Sequence, residues 1–95
     1  MENPAILERE LTSLRPVGGR VERVKIVQHE NESWFINIVV SWRGEQEFNV
    51  CLYDTMKLKT YARLSNAVRH VVMSYDYDDN IVVKPKKGIR NKIAF

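Results

Sequence analysis

Ser33-Trp34-Phe35-Ile36-Asn37-Ile38-Val39-Val40-Ser41-Trp42 is the stretch on which the fold turns. Side chains of a strand alternate between its two faces. Trp34, Ile36, Ile38, Val40 and Trp42 therefore share one face, and Phe35, Asn37, Val39 and Ser41 the other. So dense an apolar pattern suits a central strand. Upstream, Val21 to Gln28 is rich in β-branched residues alternating with charge and predicts a second strand, joined through the turn His29-Glu30-Asn31-Glu32. Downstream, Arg43-Gly44 predicts a tight turn, with Gly44 free to take a positive φ. Glu45 to Tyr53 then alternates again, with Phe48, Val50 and Leu52 on one face and Glu47, Asn49, Cys51 and Tyr53 on the other. Three consecutive strands joined by short turns predict an antiparallel meander.

Both flanks read as helices. Asn3 suits an N-cap and Pro4 a first helical position. Leu7, Leu11 and Leu14 recur at helical spacing, and Pro16 and Gly18-Gly19 end the segment, which predicts a helix over residues 4–15. Asp54 can cap a second helix reaching to about Ser74, with Leu58, Tyr61, Leu64, Val68, Val71, Val72 and Tyr75 within one broad arc. Ile81-Val82-Val83 predicts a short fourth strand, ended by Pro85. The expected fold is thus α+β, a two-layer sandwich of a three-stranded antiparallel meander against two helices, in the order α-β-β-β-α with a short β appended. Its core would hold Trp34, Ile36, Ile38, Val40, Phe48, Val50 and Leu52 with Leu7, Leu11, Leu58 and Val72. Residues 1–85 form the single domain and 86–95 a basic C-terminal tail.

Charge is laid out unevenly. Residues 1–54 carry a net −3, residues 55–75 carry +4 without an acid, Asp76, Asp78 and Asp79 give −3, and residues 80–95 carry +5 without an acid, which sums to the overall +3. Two acid-free basic segments point to a negatively charged partner. Lys57 and Lys59 fall in the first turn of the predicted second helix, where cations oppose the dipole unless an anion docks there. Arg63, Asn66 and His70 continue that surface. The tail supplies Lys86, Lys87, Arg90 and Lys92.

Catalytic patterns are absent: the chain has no phosphate-cradling or dinucleotide glycine motif, no H-E-x-x-H and no G-x-S-x-G. Cys51 with His29 or His70 is the one nucleophile–base pair available, and a cysteine on a half-buried strand is ordinarily inert. Asp76-Tyr77-Asp78-Asp79-Asn80 begins like a calcium loop, but Ile81 stands where glycine is required and Lys87 where a bidentate glutamate is. The single cysteine allows no internal disulfide. No apolar run reaches the roughly 20 residues that span a bilayer, and the N-terminus lacks the features of a secretory signal. A cytoplasmic protein without enzymatic activity, metal or cofactor is expected.

The order α-β-β-β-α over about residues 4–75 resembles the double-stranded RNA-binding domain. That family contacts phosphates with lysines at the start of its second helix; the matching segment is Lys57-Leu58-Lys59-Thr60-Tyr61-Ala62-Arg63. The loop between the first two strands, His29-Glu30-Asn31-Glu32, keeps a histidine but not the family's Gly-Pro. The charge layout leads to the reading of a small non-enzymatic nucleic-acid-binding domain contacting phosphates through Lys57, Lys59, Arg63 and His70, with Lys86, Lys87, Arg90 and Lys92 assisting. The alternative is a protein-interaction module, a small regulator or inhibitor docking an acidic partner. Either would be a monomer or weak homodimer with no membrane association.

Overall fold

The computed structural model describes residues 3–52 and 57–86. The elements in chain order are β1 (Ala5–Leu7), α1 (Glu8–Leu11), β2 (Val21–Gln28), β3 (Trp34–Val40), β4 (Phe48–Cys51), β5 (Thr60–Tyr61), α2 (Leu64–Ser74) and β6 (Ile81–Lys84). They build one mixed six-stranded sheet in the order β1-β4-β3-β2-β6, with β5 pairing β3. The antiparallel centre, β2–β3–β4, is the expected meander, with Val24 opposite Ile38 and Ile38 opposite Phe48. Both outer strands run parallel to their neighbours: Ile6 lies opposite Val50, and Val82 opposite Lys25. The three-stranded antiparallel meander against two full helices is therefore incorrect.

Two segments account for the difference. The predicted helix over 4–15 is a three-residue strand followed by a single helical turn. Ala5-Ile6-Leu7 has the apolar content to join the free edge of β4, and Asn49 N–H donates to Pro4 O to start that pairing. Ile6 and Leu11 are buried as a result, whereas Leu14, third on the supposed helical face, is exposed. The second correction lies at residues 57–63. Leu52 N–H donates to Lys57 O, Lys59 N–H donates to Val50 O, and Cys51 bridges Leu58, so this stretch folds back along β4 before β5 pairs with Trp34 and Phe35. Thr60 and Tyr61 suit such a pleat. The second helix begins only at Leu64, with Arg63 at the N-cap and no side-chain cap. Asp54, the expected cap, lies outside the described residues.

The core lies between one sheet face and the helices. Ile36, Ile38, Val40, Phe48 and Val50 are buried as the period-2 pattern predicts, together with Val24, Ile26, Ala67, Val71 and Tyr75; Trp34 and Trp42 pack against them. Leu52 and Val72 are exposed, contrary to expectation, because the chain leaves β4 at Cys51 and α2 buries only the Ala67–Val71 side. The tight turn expected at Arg43-Gly44 is instead a longer connection over residues 41–47, within which Gly44 does adopt a positive φ, +74°. Gly19 admits Trp42 against the backbone; a Cβ there would lie 2.6 Å from Trp42 Cε3. The opposite sheet face, carrying Arg23, Lys25, Val27, Phe35, Asn37, Val39, Asn49 and Cys51, has no helix over it among the described residues.

Candidate functional site

Of the eight basic residues singled out in the sequence, Lys87, Arg90 and Lys92 lie outside the described residues. Lys59 and His70 do come together, but around an acid. Glu8, the first residue of α1, accepts a hydrogen bond from the His70 ring at 2.5 Å and from the Tyr75 hydroxyl at 3.0 Å, and lies 3.6 Å from Lys59 Nζ. Burial raises the Glu8 pKa; the hydrogen bonds from His70 and Tyr75 and the charges of Lys59 and His70 outweigh it, so the carboxyl sits below its ordinary value. Burial also drives the neighbouring Tyr61 and Tyr75 phenols far upward, helped by the Glu8 charge. The Tyr61 hydroxyl is buried without a hydrogen-bond partner among the described residues.

This cluster joins elements of the fold. It ties the N-terminal segment to α2, while Glu10 ties it to the β3–β4 loop by accepting from Trp42 Nε1 at 2.7 Å and from Arg43 Nε and Nη2 at 2.8 and 2.6 Å. Lys57 and Lys59 belong to an extended segment, so the conflict with a helix dipole that singled them out does not arise. Arg63 is exposed at the N-cap of α2. Lys86 Nζ pairs with Glu32 at 3.1 Å, and its backbone N–H donates to Gln28 Oε1, which pins the chain after β6 to the β2–β3 turn.

A different surface concentrates binding groups. The uncovered sheet face holds a concavity of about 560 Å³ whose lining includes Lys25, His29, Phe35, Asn37, Asn49 and Lys84. Strand register places them. Lys25 is opposite Asn37, which is opposite Asn49, which is opposite Ala5; one step along, Lys84 is opposite Val27 and Val27 opposite Phe35. The small Ala5 side chain leaves the floor low. His29, in the β2–β3 turn, meets the Phe35 ring edge-to-face with centroids 6.1 Å apart.

Asn37 is only 4% exposed, and its Nδ2 donates to Asn49 Oδ1 at 2.9 Å. The remaining polar atoms of the pair, Asn37 Oδ1 and Asn49 Nδ2, have no hydrogen-bond partner among the described residues. An acceptor and a donor thus stand side by side on a strand pair, the pattern that matches an amide or a nucleobase edge. Beyond Asn37 the face closes. Arg23 pairs with Glu45 at 3.2 Å and Lys25 with Glu47 at 3.3 Å, and Val39, in register with Arg23, is buried among these side chains.

Cys51 lies within this concavity; burial pushes its thiol upward and Sγ donates to Asn49 O at 3.6 Å, so it is a protonated wall residue rather than an activated nucleophile. No group of three or more metal-ligating side chains occurs among the described residues, and no described helix is long and apolar enough to cross a membrane. Phe35 was legible in the sequence as an aromatic on the face away from the core. The signal for Asn37 and Asn49 was a polar residue at the same pleat position in two adjacent apolar strands. No protein-family model matches the chain, and no curated protein or solved structure is significantly similar to it.

Proposed function

We propose that this protein binds single-stranded nucleic acid on the uncovered face of its sheet. The observation that supports this most is the lining of the concavity, where an aromatic ring, Lys84 and a donor–acceptor pair without partners among the described residues share the sheet face turned away from the helices. Unstacked bases bind proteins by stacking on aromatic side chains and hydrogen bonding through their edges, while cations hold the backbone. In this reading Phe35 is the stacking platform, Asn37 and Asn49 meet a base edge, and Lys84, which forms no ion pair among the described residues, holds a phosphate, while Lys25 stays paired with Glu47. Lys84 continues into Lys86, Lys87, Arg90 and Lys92, so the basic tail extends the same path in sequence. The contacts thus move from the helix surface to the sheet: Lys59 and His70 are engaged by Glu8, and Lys57 and Arg63 are left at most a peripheral role.

The test is fluorescence anisotropy with a dye-labelled 12-nucleotide pyrimidine strand across a salt series. Phe35→Ala should weaken binding by about 5- to 100-fold, the loss expected for one stacked base. Lys84→Glu should lower the log–log salt slope by about 0.7 per lost phosphate contact. Arg63→Glu should change little. Binding by Phe35→Ala and Lys84→Glu equal to that of the unmodified protein would sink the proposal. Absence of binding at low salt would leave the acidic-protein partner as the reading to pursue.

A further inference from the structure

The sheet ends on one side at β6, whose outer backbone edge pairs with no described strand. Edge strands usually carry charge or proline along their length to prevent pairing with another chain. β6 carries a charge only at its last residue, Lys84, with Pro85 just beyond it; the rest of the strand is Ile81-Val82-Val83, with Val82 55% and Val83 40% exposed. The sequence around it, Asp78-Asp79-Asn80-Ile81-Val82-Val83-Lys84-Pro85-Lys86, is acidic before the apolar triplet and basic after it. Such a strand complements itself when reversed.

We infer that β6 pairs antiparallel with β6 of a second copy about a twofold axis through Val82, joining two sheets into one. The register follows from backbone geometry. Outward-facing N–H and C=O groups alternate along a strand, so a symmetric antiparallel pair must place outward residues opposite outward residues. Centring on Val82 does this. Ile81 then stands opposite Val83 of the partner subunit, Asn80 opposite the partner's Lys84 and Asp78 opposite the partner's Lys86. Lys86 N–H points inward to Gln28, which places the odd-numbered residues, Ile81 and Val83, facing outward to exchange hydrogen bonds with the second copy. The two Val82 side chains meet at the axis on the uncovered face, where Cα atoms of a non-hydrogen-bonded pair are about 4.5 Å apart. Asp78 forms no ion pair among the described residues and is available to Lys86 of the partner, whose present bond to exposed Glu32 is a surface contact.

The contact is small, so the dimer is weak, with a Kd on the order of 10 μM. Sedimentation velocity of the full chain from about 1 to about 300 μM should show a reversible monomer–dimer equilibrium. Val82→Lys places two ammonium groups at the axis and should leave only monomer across that range, while its far-UV circular dichroism stays unchanged because Val82 is exposed in the monomer. Asp78→Lys and Lys86→Asp should each weaken self-association about tenfold, since each turns two symmetry-related attractions into repulsions. An equimolar mixture of those two variants should recover association, because each 78–86 pair across the heterodimer is then oppositely charged. A monomer at every concentration, or a dimer that survives Val82→Lys, would overturn the inference. Failure of the mixed variants to associate more tightly than either alone would overturn the register.

Discussion

Replacing Glu8 with alanine should be among the most damaging single changes outside the apolar core. The Tyr75 hydroxyl donates to Glu8, and Tyr75 is fully buried. Removing the acceptor strands a buried donor, which costs about 1–3 kcal/mol. The pairs with Lys59 and His70, whose side chains are 24% and 27% exposed, add about 0.5–1 kcal/mol between them. A loss near 2–3 kcal/mol follows. With a urea m-value of about 1–1.5 kcal/mol/M for a chain of this size, the unfolding midpoint should fall by about 2 M. Tryptophan fluorescence is the convenient readout, since Trp34 and Trp42 both pack against the core. The second arm separates the desolvated hydroxyl from the ion pairs: Tyr75→Phe in the Glu8→Ala background should be neutral or stabilising, because it deletes the stranded donor, whereas Tyr75→Phe alone should destabilise. A midpoint shift below about 0.4 M for Glu8→Ala would refute the assignment of Glu8 as the link between the N-terminal segment and α2.

Three further outcomes are expected. Glu8 and Glu10 both have folded pKa values below the unfolded value near 4.5, so the stability they contribute is fully present above that pH and is lost as pH falls through their folded values; urea midpoints measured from pH 6 to pH 3 should decline below about pH 4.5 and the decline should shrink in Glu8→Gln. Ile38→Ala should destabilise by about 2–5 kcal/mol in the same assay, since Ile38 is 1% exposed at the centre of the sheet. Lys59→Glu should destabilise by about 1–2 kcal/mol because it sets an acid beside Glu8, whereas Arg63→Glu should stay within about 0.5 kcal/mol; equal, small effects for the two would show that Lys59 is as free as its sequence context suggests.

The central three strands were legible because their signal is local. Strand β3 is a nearly continuous apolar run, and the period-2 assignment of faces in β2, β3 and β4 agrees with the observed register, whereas the connection from β3 to β4 runs over residues 41–47 and is longer than the tight turn expected at Arg43-Gly44. The outer parts depend on partners far along the chain. Leu7, Leu11 and Leu14 satisfy a helical pattern over about two turns, yet the free edge of β4 offers Ala5-Ile6-Leu7 a set of backbone partners, and pairing overrides a weak intrinsic preference. Lys57 to Arg63 likewise joined a helical arc on paper, while the backbone of Val50 and Leu52 captures it as an extended return. The candidate site followed the same division. Phe35, Asn37 and Asn49 could be placed on the outward face from alternation alone, but their convergence with Lys84 requires β6 to lie parallel to β2, and nothing near residue 84 announces that neighbour.

The parallel pairing of both outermost strands has a consequence for the order of assembly. The β2–β3 hairpin closes over a short turn and can form as soon as residue 40 has been synthesised, but β1 must wait for β4 and β2 for β6, each across a long intervening stretch whose closure is entropically slow. During synthesis Ile6 and Ile26 are thus apolar surfaces lacking their final neighbours, and the hairpin is the natural nucleus on which the rest condenses. Native-state hydrogen exchange should reveal the same hierarchy, with amides of β2 and β3 opening only on global unfolding and those of β1 and β6 exchanging through smaller, cheaper openings at the two margins of the sheet.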